Sequence, residues 1–272
     1  KICTFKVVNN GNYLGELFIK LSIQRAIEEG CDEIYFTHFD EGPDDPLLVL
    51  TKAYGFELWG VNRGRYSRDE GVYVKWLRPE RDVLGLQHVE VNRIFYPSFY
   101  DGPLVSKAIV PILPTYHDRL FGNTDRCQST LDAFLGGFIP EQNTIRKAYI
   151  CRSRTKLSPG DVLLFYCSRE LGALTTVGVV ETAYYGVTKS DTIHQLVTRR
   201  TVYSRREIED FAEGGATVIL FRHCFDLRFR VPRETLINEL STEIPQSIAF
   251  IREDAYIGIA RRAGLDGRFT IH

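Results

Sequence analysis

Methionine is absent from the 272 residues and tryptophan occurs only twice. No apolar run approaches the roughly 20 residues that a bilayer-spanning helix needs, so no membrane-spanning helix is expected. The opening KICTFKVVNN is strand-like rather than a charged-then-apolar leader. The chain therefore reads as cytosolic, although it begins at Lys1 in what looks like the middle of a domain. The six cysteines, Cys3, Cys31, Cys127, Cys151, Cys167 and Cys224, form no C-x-x-C pair. That scatter argues against a zinc site and against a disulfide framework, and for reduced, mostly buried thiols. A net charge of −1 points to no polyanionic partner by itself. Repeats and low-complexity runs are also missing, as is any Ser/His/Asp set or His/Cys/Asp metal spacing.

What is present is an ordinary globular composition, 44% hydrophobic and 25% charged, over a length that suits two domains better than one. Up to residue 83 there are 11 Lys and Arg against 14 Asp and Glu, for −3; the remainder has 23 against 21, for +2. Residues 2–8 (ICTFKVV) carry the β-branched and aromatic side chains of a strand. Past the turn Asn9-Asn10-Gly11-Asn12, the positions Leu14, Leu17, Phe18, Leu21 and Ile27 recur at helical spacing until Gly30 stops the run. A strand at Glu33–Phe39, a short helix through Leu47–Tyr54 and a hairpin of Glu57–Val61 with Val72–Leu77 complete a β-α-β-α-β-β order. Residues 84–105 show no clean period and hold Pro97, Gly102 and Pro103, the signature of a connector. Short strands then follow at Ala108–Leu113, Thr144–Cys151, Asp161–Cys167, Leu174–Thr182 and Ala216–Phe225. Helices are expected near Thr115–Phe121, Asp191–Thr198, Ser204–Gly214 and Gln246–Ala263. Such a series predicts a small mixed barrel, and the class as a whole is α+β.

A helix that starts after a glycine-bearing loop offers free N–H groups and a positive dipole end to an anion. The stretch Asn9–Gly15 is such a start. The run KICTFKVV, NNGNYLGE, LFIKLSIQRAIEEG, DEIYFTHF, LTKAYGFELWG, GVYVKWL resembles the second half of a GNAT-type N-acetyltransferase, so residues 1–83 read as a partial α/β/α mixed sheet. The resemblance implies acetyl-CoA as cofactor, with its phosphates on the amides of Asn10, Gly11, Asn12, Tyr13, Leu14 and Gly15 and its pantetheine beside Val7 and Val8. It also implies an acid for the departing thiolate. The family's tyrosine position is taken by Thr51, a poor proton donor, while Tyr54 directly precedes Gly55; these two are the catalytic candidates.

In residues 106–272, AIVPILPTYHDRLF, NTIRKAYICRS, LSPGDVLLFYCS, LTTVGVVE and PQSIAFI resemble the PUA-like superfamily near its EVE and ASCH branches. The resemblance implies a small β-barrel with helices and a cleft for a nucleotide or a single-stranded segment. Arginine and lysine interleaved with tyrosine supply phosphate contact and base stacking. Arg146, Lys147 and Arg152 surround Tyr149, and Arg199 and Arg200 precede Tyr203. Tyr166 and Ser168, closing the GDVLLFY strand, are the pocket candidates. His117 and Asp118 point about 100° apart on a helix and are expected to cap or pack rather than act as a pair. The leading expectation is an acetyl-CoA-binding module coupled to a reader of RNA or single-stranded nucleic acid, an RNA-directed N-acetyltransferase or a toxin-like protein. The alternative is a non-enzymatic RNA or DNA binder with a degenerate acetyltransferase remnant.

Overall fold

The computed structural model describes residues 1–3, 13–63, 69–77, 85–122, 144–198, 200, 202–265, 267 and 269–272. Packing divides the chain into two compact units, Lys1–Phe99 and Tyr100–His272.

The first unit contains α1 (Leu14–Glu28), β1 (Glu33–His38), α2 (Pro46–Lys52), β2 (Glu57–Asn62), β3 (Glu70–Trp76) and α3 (His88–Phe95). Its antiparallel sheet has the order β1-β3-β2, so the last strand of the hairpin lies in the middle. Most of the expected first strand lies outside the described residues, but the Ile2 N–H donates to the Tyr35 carbonyl at 2.7 Å, beside β1. Helix α1 buries Ile19 and Ile23, one turn apart. From the sheet, Phe36 packs on Phe56 and Tyr73 at 5.4 and 5.3 Å.

The segment read as an irregular connector holds a helix. Val91 and Phe95 bury one face of α3, the Asn92 amide donates to the Ser98 carbonyl at 2.9 Å, and the helix ends just before Pro97 as the steric rule for X-Pro requires. Two contacts fix its end. The buried Lys75 ammonium donates to the Ile94 carbonyl at 2.7 Å. Gly55, at φ +80°, leaves room for that same carbonyl, which a Cβ would approach to 2.2 Å.

The second unit continues after a short strand, β4 (Phe99–Tyr100), with β5 (Lys107–Ile112), α4 (Pro114–Phe121), β6 (Arg146–Cys151), β7 (Val162–Cys167), β8 (Ala173–Val187), α5 (Ser190–Val197), α6 (Arg205–Glu213), β9 (Ala216–Pro232), β10 (Ala249–Ile251), α7 (Glu253–Ala263) and β11 (Thr270–Ile271). A π-helical turn at Thr235–Glu239 follows β9. Six strands form one sheet in the order β10-β5-β7-β8-β9-β6. Strands β5 and β7 are parallel and every other neighbouring pair is antiparallel. The sheet rolls on itself: the Tyr149 hydroxyl of the edge strand β6 donates to the Pro111 carbonyl of β5 at 2.9 Å. Inside lie Val110, Leu163, Phe165, Val180, Ile219 and Phe221, all essentially inaccessible. Strands β8 and β9 run on to 15 and 17 residues, longer than their sequence signals, because register shifts let them bend without parting. The expected helix from Gln246 to Ala263 is shorter, because Ala249–Ile251 instead adds an edge strand to β5 and the helix begins at Glu253. It buries Ala255, Tyr256, Ile259 and Ala263.

The turn Ser158-Pro159-Gly160-Asp161 sets where β7 begins. Gly160 sits at φ +96°, and the buried Asp161 carboxylate accepts from the Ser106 N–H at 2.9 Å and the Ser158 N–H at 2.7 Å. One side chain thereby aligns the starts of β5 and β7. Asp161→Ala removes two charge-assisted bonds and leaves both amides unmatched, so urea denaturation is expected to show a loss of about 2 kcal/mol or more. An unchanged midpoint would mean that the turn is held by its backbone alone.

Candidate nucleotide site at one end of the barrel

The end of the barrel where β7 finishes and β6 begins gathers most of the polar side chains that the fold takes inside. Lys147 points inward from β6, opposite Phe221 of β9 in the ladder, and is 1% exposed. Its ammonium lies 6.0 Å from the centroid of Phe121, the last residue of α4. That ring packs at 4.9 Å on Phe165 and at 5.4 Å on His223. His117, one turn earlier on α4, is 5.2 Å from it.

Beneath α4 a chain of hydroxyls links the strands. His117 Nε2 and Thr175 Oγ1 are 2.8 Å apart, Thr175 donates to the Phe165 carbonyl at 3.3 Å, and Thr176 donates to Asp226 Oδ1 at 2.9 Å. His223 Nε2 faces the same carboxylate oxygen at 3.4 Å. Which of the two supplies the proton of the His117–Thr175 bond depends on the tautomer of the imidazole. His117 Nδ1 lies 3.5 Å from Asp118 Oδ1, without hydrogen-bond geometry to any described residue. Burial lowers the basicity of His117; Asp118 and Asp226 oppose that shift and Arg230 reinforces it. The positive charge of Arg230 also acts on Cys167, that of Arg233 on Tyr166. The end of the barrel thus combines neutral imidazole, ammonium, hydroxyl and aromatic faces with arginines at its rim.

The residues singled out in the sequence fall in different places. Lys147, Tyr166 and Ser168 share this end of the barrel; Tyr166 is buried, and the Ser168 hydroxyl donates to the Ile112 carbonyl at 3.1 Å. Arg146, beside Lys147, points to the opposite face and grips Glu181 through Nε at 2.8 and 2.9 Å. Arg152 lies at the far end of β6, about 20 Å away at roughly 3.3 Å per residue, where it donates to the Asp210 carbonyl at 2.7 Å. Arg200 lies along the free edge of β6, its carbonyl accepting from the Ala148 N–H. Arg199 is outside the described residues. The tyrosines expected to stack bases are core instead: Tyr149 and Tyr203 are buried, and the Tyr203 hydroxyl donates to the Ile150 carbonyl at 3.1 Å. Sequence reasoning missed Thr175, His223, Arg230 and Arg233, and set His117 aside as a packing residue. The alternation of arginine with apolar residues in RFRVPR was the available signal for the rim.

In the first unit, Val7, Val8, Asn10, Gly11 and Asn12 lie outside the described residues. Tyr13, at φ 52°, precedes the first turn of α1, and its own side chain caps none of that turn's amides. A Cβ on Gly15 would come within 2.7 Å of the Leu50 side chain, so this glycine lets α1 and α2 pack closely whether or not an anion binds. The Thr51 hydroxyl is buried and donates to the Leu47 carbonyl at 2.8 Å. Tyr54 is 2% exposed.

Among the described residues there is no cluster of His, Cys, Asp and Glu with the geometry of a metal site, and no helix long and apolar enough to cross a membrane. Cys3 and Cys31 are exposed, whereas Cys167 and Cys224 are buried. Burial pushes the thiols of Cys151 and Cys167 up to about 11.

No family model and no curated protein matches the chain. Solved structures similar to it are those of an ASCH protein of Zymomonas mobilis. A serine-to-alanine point mutant of that protein is 14% identical with a TM-score of 0.44, over 57% of this chain and 95% of that one. The unmutated protein is 16% identical with a TM-score of 0.42, over 57% of this chain and 94% of that one. A protein of Agrobacterium tumefaciens follows, 13% identical with a TM-score of 0.33, over 59% and 94% of the two chains.

His117 gives the site a pH signature. Its pKa is lowered in the folded state, so the unfolded chain binds the proton more tightly. Stability is fully present above the ordinary histidine value of about 6.5 and is lost as pH falls from there towards the folded value. The thermal midpoint of the wild type is expected to drop as the pH falls below about 6.5. His117→Gln, which keeps a hydrogen-bonding group for Thr175, should flatten that decline; an equally steep decline in the variant would assign it to other groups.

Proposed function

We propose that Tyr100–His272 reads single-stranded RNA or a nucleotide at the end of the barrel under α4. The observation that carries this reading is the convergence there of Lys147, His117, His223 and Thr175 with the rings of Phe165 and Phe221. A base needs flat apolar faces and a few fixed hydrogen-bonding groups at its edge, and the phosphate that follows needs cations at the rim. Arg230 and Arg233 occupy that rim. Lys147, Tyr166 and Ser168 are the residues at this end named from the sequence, whereas Arg146, Arg152 and Arg200 would touch only the flanking strand of a longer ligand.

The first unit is proposed to hold acetyl-CoA, with its phosphates at the start of α1 from Tyr13 to Gly15. Together the two units make an RNA-directed N-acetyltransferase or a toxin-like acylating protein. The second reading, binding without catalysis, is favoured by one observation: the Thr51 hydroxyl is committed to its own helix and Tyr54 has little access to solvent. Neither is in position to hand a proton to a thiolate at an open site.

Fluorescence anisotropy with a labelled single-stranded RNA tests the first claim. Log affinity is expected to fall linearly with log salt, and Arg230→Ala with Arg233→Ala should reduce the slope by about 0.7 for each phosphate that is no longer neutralised. A salt-independent affinity, or no affinity for any oligonucleotide, would end the nucleic-acid reading. Calorimetry with acetyl-CoA and CoA tests the second claim, which fails if neither gives heat. Release of CoA to an amine acceptor separates the transferase from the scaffold.

A further inference from the structure

We infer that the ligand of this site is a strand rather than a lone nucleotide, and that it leaves the barrel across Phe229, whose exposed ring stacks a base flanking the one held inside. The inference rests on the RNA reading proposed above and adds a second point of contact. Phe229 is 55% exposed, although most of β9 is core. Between the pairs Leu174–Val231 and Thr176–Asp226, β8 advances two residues while β9 advances five, so β9 arches away from its partner there. The arch buries Leu227 and Val231 and turns Arg228 and Phe229 out to solvent. In a regular strand Phe229 would share a face with both of those buried neighbours. The extra residues take it off that face, as bulges beside a site do.

A single exposed aromatic is ordinary, but this one is seated, flanked by cations and next to the site. Its Cδ2–Cε2 edge lies over Gly264, just past the end of α7, where an added Cβ would come within 2.9 and 3.1 Å of the ring. The Arg228 guanidinium carbon is 5.2 Å from the ring centroid. A base that stacks here meets a ring already held in place, with a guanidinium beside it for the phosphate that follows. Arg228 and Arg233 are both exposed and form no ion pair with a described residue. Of the carboxylates in the same stretch, Asp226 is bound to Thr176 and Glu234 stands at the start of the π-helical turn. The outward charge of the arch is therefore positive, which suits a phosphate backbone. Phe229 directly precedes Arg230, whose charge acts on His117 and Cys167 at the barrel end. Beyond it, the Arg233 N–H donates to the Gly172 carbonyl at 2.8 Å, beside the turn that carries the exposed Arg169. A lone nucleotide in the barrel leaves this ring unused, whereas a strand occupies both places.

The test uses the full chain, a fluorescein-labelled mixed-sequence RNA 10-mer and the four nucleoside monophosphates. Phe229→Leu keeps an apolar contact with Gly264 but has no π face, so it should weaken binding of the 10-mer by about tenfold or more while the mononucleotides bind as before. Phe229→Trp should restore the affinity for the strand, and Arg228→Ala should lower the salt slope by about 0.7. Near-UV circular dichroism verifies folding. If Phe229→Leu does not fold, photo-cross-linking of the wild type to a thiouridine-bearing RNA decides, with adducts expected on the peptide that holds Phe229 and their absence overturning the inference. If the wild type binds the 10-mer and folded Phe229→Leu binds it equally well, or loses the mononucleotides in the same proportion, the platform is refuted and the RNA reading stands. If the wild type self-associates in sedimentation and Phe229→Leu does not, the ring is a contact between copies and the platform is refuted likewise. If no oligonucleotide or mononucleotide binds, the RNA reading falls and the platform with it.

Discussion

The closure of the rolled sheet by the Tyr149 hydroxyl on the Pro111 carbonyl is the contact on which the second unit depends. A sheet with an open edge beside β6 would let that strand's inward side chains turn to water. Once closed, it obliges Lys147 and Tyr149 to share the interior with Phe165 and Phe221. For Tyr149 this brings only an ordinary hydrogen bond, and burial drives its phenol pKa up, so the group stays neutral. Lys147 brings a charge, which is tolerable inside a protein only where polar or aromatic partners gather around it. The histidines, threonines and rings at that end of the barrel follow from that requirement, whatever else they do.

The first unit meets a comparable constraint in a different way. Its buried ammonium, Lys75, is anchored to the carbonyl at the end of α3. Gly55 allows that carbonyl to come close, and the end of α3 then fixes how the chain leaves the sheet. The hairpin, α1 and the order of elements were legible in the sequence because each rests on local period and turn chemistry. Helix α3 was not: its apolar positions number too few for a period to show, and Pro97 and Gly102 read as loop. What makes it a helix is tertiary, namely the core taking Val91 and Phe95 and Asn92 reaching the Ser98 carbonyl.

The candidate site divides along the same line. Lys147, Tyr166 and Ser168 could be picked out because they flank strongly patterned strands. Their meeting with His117, Thr175 and His223 could not, since it depends on which residues of β7, β8 and β9 lie side by side, and register shifts near Thr176 and Gly178 decide that. Arg152 misled for the complementary reason: it is near Lys147 in sequence, but a strand carries neighbours apart faster than any other element. A cluster of basic residues in a sequence is a cluster in space only when the chain between them turns.

The thiols give the molecule a property unrelated to its ligands. With Cys151 and Cys167 held up near 11, only about one in ten thousand of each is thiolate at neutral pH. Alkylating reagents and mild oxidants act on thiolate, so among the described cysteines the exposed Cys3 and Cys31 are the ones that react first. Both belong to the first unit, so among the described cysteines a maleimide dye would mark that unit and leave Cys151 and Cys167 of the second unmodified.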